Sequence, residues 1–171
     1  MDSLTYLIIL RLLHITCGIF WAGATIYLAA FIGPAVKAAG PEGGKFMQQL
    51  AKTNKLPLVM ALAATINVLA GILLIWKLSG GFQYEWVVSR HGLILSTGAL
   101  LAIIAYLDGL LITRPTIEKI NRLSHELINK QPTPEQIQQL KAYQKKVISA
   151  NEFVAILLCV TIIAMSLIRY L

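Results

Sequence analysis

Charge is scarce in this sequence: Asp, Glu, Lys and Arg make up 13% of its 171 residues, against 57% hydrophobic. A soluble domain of this size carries roughly twice that share of charge, so a wholly water-facing surface is excluded. Cysteine is scarcer still. Cys17 and Cys159 lie deep in apolar runs without any CxxC or Cys/His spacing of a structural zinc site, and two cysteines so placed point to neither a disulfide framework nor a redox compartment. No repeat of fixed period, low-complexity tract or Gly-rich phosphate loop is present. Acidic residues number only eight against fifteen Lys and Arg, giving a net charge of +7. The basic excess gathers in connections beside hydrophobic runs, where positive charge marks the cytoplasmic side of a membrane. Lipid is the expected partner, and nucleic acid is not.

Apolar sequence is what the chain has in quantity, with a mean hydropathy of +0.69. Runs over about 4–34, 56–78, 86–113 and 146–170 are each long enough to cross a hydrocarbon core of about 30 Å as a helix. The expected fold is all-α: one membrane domain, 1–171, built as a four-helix transmembrane bundle. The first run lacks a basic n-region and a small-residue cleavage site, so it is expected to stay in the mature protein. Thr133, Pro134 and Gln136 read as an N-cap opening the last helix, which is too long for the bilayer alone. Residues 114–146 should therefore form a basic helical hairpin outside the membrane. Pro115 kinks or ends the third helix in this reading.

Orientation follows from the basic residues. The first connection has four (Lys37, Lys45, Lys52, Lys55) and the third seven (Arg114, Lys119, Arg122, Lys130, Lys141, Lys145, Lys146), while the second has only Lys77 and Arg90. The first and third connections are expected in the cytoplasm, with both termini outside. A bacterial inner membrane is the expected setting. Between the first two spans, Phe46, Met47 and Leu50 mark the apolar side of a short interfacial helix.

Within this apolar chain a few polar residues stand out. Arg11 and His14 sit inside the first run and share a helical stripe with Gly18, Trp21 and Thr25, so one side of that helix faces something other than lipid. His91 opens the third run, and its stripe continues through the small residues Gly98, Ala102, Ala105 and Gly109, leaving room beside the helix. Two neutral imidazoles on different helices can supply the axial ligands of a b-type haem. On this reading His14 and His91 bind the iron, Arg11 and Arg90 pair with the propionates, and Trp21 with Gly98 lines the pocket. The alternatives are an interhelical hydrogen bond for His14, an interfacial position for His91, and a soft Cu(I) site built from Cys17 with Met165 or Cys159. Asn67 reads as glue between helices, and Asp108, Asn151 and Glu152 as snorkelling or capping groups at the inner end.

The first span, LRLLHITCGIFWAGATIYLAAFIGP, resembles the first helix of CopD-like membrane proteins and of HemJ-type protoporphyrinogen oxidases, through Leu13, His14, Trp21 and Gly23. The segment EWVVSRHGLIL is similar to the HemJ-type stretch in which a tryptophan precedes a basic residue opening a helix, here Trp86 and Arg90. The resemblance implies a small helical bundle and, for HemJ-type proteins, a b haem held by His14. Arg90 stands where those proteins have lysine, and the third span continues as AYLDGLL without a further histidine. The expected function is electron transfer by a membrane-embedded b-type haem protein, the haem lying between helices one and three. A HemJ-type porphyrinogen oxidase and a CopD-like copper-handling or assembly protein without catalysis are the alternatives. The redox partner is a quinone or another membrane protein, and a homo-oligomer is compatible with the lipid-facing surfaces.

Overall fold

The computed structural model describes residues 3–53, 55–127, 131–167 and 170. Among them there is no strand. Ile128 and Lys130 of the expected hairpin, and Arg169 at the end of the last span, lie outside the described residues.

Among the described residues eight α-helices follow one another: α1 (Ser3–Tyr27), α2 (Gly33–Ala38), α3 (Pro41–Lys52), α4 (Leu56–Leu78), α5 (Tyr84–Val87), α6 (Arg90–Asp108), α7 (Arg114–Glu126) and α8 (Pro134–Leu167). Four helical stretches are long and apolar enough to cross a membrane: Leu4–Ala38, Leu56–Leu78, Arg90–Glu126 and Pro134–Leu167. Their outward faces are dense in exposed Leu, Ile and Phe, among them Leu12, Ile19, Leu62, Leu69, Leu100 and Ile156. Such a continuous apolar surface suits hydrocarbon and not water.

The first and third stretches run past the expected ends at 34 and 113. In each, a single π-helical segment joins two α-helices: Leu28–Ile32 precedes Gly33-Pro34, and Gly109–Thr113 precedes Arg114-Pro115. The physical reason is the same in both. Proline has no N–H and its ring crowds the carbonyl four residues back, and a wider turn re-registers the backbone without breaking the helix. The N–H of Gly33 accordingly bonds the carbonyl of Leu28, and that of Arg114 the carbonyl of Gly109. Pro115 therefore neither ends nor isolates the helix; α6 passes through the wide turn into α7.

At its start the third stretch is shorter than the expected 86–113. Ser89 has an extended backbone and its Oγ accepts the Gly92 N–H at 3.1 Å, so α6 begins at Arg90 and α5 stands apart before it. Thr133 and Gln136 close a reciprocal capping box, as their spacing predicts: the Gln136 N–H donates to Thr133 Oγ1 at 3.3 Å and the Thr133 N–H to Gln136 Oε1 at 3.0 Å. Thr133→Ala should cost about 1 kcal/mol, read as an earlier midpoint in a detergent unfolding titration, with Thr133→Ser close to wild type.

The spans pack antiparallel. α1 lies chiefly along α4, and α6 along α8; α1 also touches α8, and α4 touches α6. Small residues make these approaches close, since lipid supplies no hydrophobic drive between helices and packing must do so. Ala63, Ala64 and Ala105 are buried around Trp21, Val154 and Leu158. Towards the chain's N-terminal end, Leu10, Ala70 and Leu74 form a second cluster. α7 lies along α8, where Lys119 Nζ sits 5.9 Å from the centre of the Tyr143 ring.

Candidate functional site

Polar groups inside the bundle collect in two places. In the half away from the N-terminus, Thr65 and Tyr106 hydroxyls meet at 3.0 Å, joining α4 to α6, and Asn151 Nδ2 donates to the Thr25 carbonyl at 3.4 Å. Asp108 is buried and accepts the Thr113 hydroxyl at 3.1 Å across the π turn, while Glu152 is exposed. The snorkelling expected of Asp108 is replaced by this local partner, because the wide turn brings Thr113 back over the carboxylate. Apart from the exposed Glu152, the side chains of this set are hydrogen-bonded within the bundle.

The other place is built around His14. Its Nδ1 lies 2.9 Å from the backbone carbonyl of Asn67, and Asn67 Nδ2 donates to the His14 carbonyl at 2.6 Å. A carbonyl only accepts, so Nδ1 carries the proton and Nε2 carries the lone pair. No hydrogen bond to Nε2 is formed among the described residues. Two glycines make the clamp fit: a Cβ on Gly18 would stand 2.5 Å from Asn67 Nδ2, and one on Gly71 would stand 2.9 Å from His14 Cε1. Gly71 is four residues after Asn67, hence on the same face of α4, directly under the imidazole. Asn67 joins helices as its residue type suggests, but its backbone does half of the work.

His14 forms part of the wall of a cavity of about 610 Å³ between the α1/α4 pair and the α6/α8 pair. Its sides are apolar: Val68, Ile72 and Ile75 from α4, Leu95, Ala99 and Ile103 from α6. Arg11, one turn nearer the N-terminal end, supplies a cation at the rim, and Met165 supplies a thioether from α8. The size lies in the range of small-molecule and cofactor sites. The room expected beside the third span is thus present, although Ala99 and Ala102 border it and Gly98 does not. The space over Gly98 is filled by Met165, whose Cε would be 3.3 Å from a Cβ there.

Of the residues singled out in the sequence, the structure brings Arg11 and His14 together on one wall. Trp21 is buried in the core cluster farther along α1, away from the cavity wall. His91 and Arg90 stand in the first turn of α6, exposed, and neither lines the cavity. Cys17 packs against the Trp21 cluster, Met165 lines the cavity, and no three His, Cys, Asp or Glu gather around a point among the described residues. Asn67 and Gly71 are the functional neighbours that residue type alone undervalues. Their signal was the i, i+4 spacing on a face already marked by small residues.

Comparison with family models, with curated proteins and with solved structures returns no match. The site therefore stands on its own geometry.

Proposed function

We propose that this is an integral protein of a bacterial inner membrane, both termini outside, that binds haem b in the cavity between its helix pairs and passes electrons between a quinone or membrane redox partner and the haem. One observation carries the reading. The His14 ring is held by a backbone carbonyl through Nδ1–H, which leaves the lone pair on Nε2, and His14 lines an apolar cavity of about 610 Å³. Iron-binding histidines are oriented in this way: the second ring nitrogen donates to a carbonyl or carboxylate, which sets the tautomer and raises the basicity of the ligand.

The residues present fit the group. His14 would hold the iron, Arg11 would pair with a propionate through a charge-assisted bond, and the Val, Leu and Ile walls would give the macrocycle an apolar surround. When bound, the haem supplies one-electron chemistry. The protein contributes orientation, a dry surround and a cation near the acid groups. His91 lies outside the wall, so the reading rests on His14.

The test is an absorption spectrum of the full chain, purified after haem-replete expression, oxidised and then reduced. A Soret band that shifts on reduction, with iron near one per chain, is the expected result. A colourless preparation under those conditions, or one carrying copper and no iron, overturns it.

A further inference from the structure

We propose that Met165 is the second axial ligand, so that the iron would be held by an imidazole from one helix pair and a thioether from the other. This rests on the haem reading above and goes beyond it in assigning the ligand opposite His14. Three observations lead to it. His14 and Met165 line the same cavity, one from α1 in the α1/α4 pair and the other from α8 in the α6/α8 pair, so a flat group between the pairs has one of them on each wall.

The position of Met165 is also built, not incidental. Its Cγ and Cε lie 3.4 and 3.3 Å from an ideal Cβ on residue 98, so the thioether packs closely over Gly98 and a side chain there would displace it by a few tenths of an ångström. One turn before it on α8, Thr161 is buried and its hydroxyl donates to the Gly98 carbonyl at 3.4 Å, tying α8 to α6 at this level. Finally, the other nitrogen or sulfur candidates are placed elsewhere: His91 is exposed in the first turn of α6, and Cys17 packs into the core. A bare Cu(I) ion would suit the imidazole and thioether types as well, but not a cavity of about 610 Å³ with apolar walls, which leaves a small ion without close neighbours.

Histidine–methionine ligation raises the reduction potential relative to two histidines, because the thioether is a soft donor that favours ferrous iron. The experiment compares wild type with Met165→Leu, Met165→His and His91→Ala, each purified as the full chain after haem-replete expression. Expected are a far-red sulfur-to-iron charge-transfer band in the ferric wild type and loss of that band in Met165→Leu. Met165→His should regain a low-spin spectrum at a lower midpoint potential, and His91→Ala should match wild type. The Leu variant keeps nearly the same volume and polarity, so its fold is expected to survive, and the His variant gives a gain of signal that misfolding cannot imitate. A Soret band in wild type with no change in Met165→Leu, or a ligand change in His91→Ala, overturns the assignment and leaves the haem reading standing. No Soret band in any sample overturns both.

Discussion

Gly71→Leu is expected to be among the most damaging single substitutions in the bundle, abolishing the proposed haem binding and lowering stability by about 1–3 kcal/mol. The His14 ring lies on Gly71: an added Cβ would stand 2.9 Å from Cε1 and 3.1 Å from Nδ1. The ring cannot retreat without breaking the bond from Nδ1 to the Asn67 carbonyl, and that bond is what sets its tautomer. Asn67→Ala provides the contrast. The carbonyl that orients His14 belongs to the backbone, so no substitution at 67 removes it; only the Nδ2 bond to the His14 carbonyl is lost. Interhelical hydrogen bonds of this kind contribute about 0.6–1.7 kcal/mol in lipid, so Asn67→Ala should loosen the α1/α4 pair yet keep the Soret maximum. Unfolding midpoints in mixed detergent, measured beside the spectra, separate the two effects. A Gly71→Leu protein with wild-type haem content would show that the ring is not held where the clamp places it.

The four spans were legible in the sequence because the bilayer imposes a length and a composition that few other structures share. The capping box at Thr133 was legible too, since both partners lie within four residues. The π turns before Pro34 and Pro115 were not: proline announces a disturbance of the helix but does not say whether the chain bends, ends or widens. What decides is tertiary, because both wide turns pack against α8, which holds the continuing helix in place. The site divides in the same way. Arg11 and His14 stood out as ionisable groups in an apolar run, which is a signal of residue type. The partner of His14 is a main-chain carbonyl, and a carbonyl leaves no trace in sequence.

His91 shows how a correct phase can still mislead. It shares a stripe with Gly98, Ala102 and Ala105, all of which are buried. But α6 begins at Arg90, and in that first turn only Gly92 is packed closely, against the backbone of Trp86 and Val87. Helical phase tells which side of a helix a residue occupies, not whether a neighbouring helix reaches that level. Met165, by contrast, stands out in the sequence only as a soft donor that could join Cys17, and Cys17 packs into the core instead. Its place became evident only when Gly98 opposite it was seen to be the seat.

His14→Ala should abolish the proposed haem binding while leaving the bundle folded. Buried polar groups are costly when their partners are deleted, and the Asn67 carbonyl loses one here. It lies within α4, however, where the N–H of Gly71 is its ordinary helical partner, so deletion of the imidazole returns it to a regular bond and does not orphan it. Asn67 Nδ2 still meets the carbonyl of residue 14, which is main chain and present in any variant. The cost is then the lost packing of the ring, about 1–2 kcal/mol, against complete loss of the proposed iron ligand. Expected are a normal elution profile, helical circular dichroism close to wild type, and no Soret band. Imidazole added in the medium should restore part of the band, since it supplies the missing nitrogen and the space of the ring is open to it. If His14→Ala instead aggregates, and imidazole restores folding but no absorbance, His14 serves only to join α1 to α4, and the cavity beside it holds something other than haem.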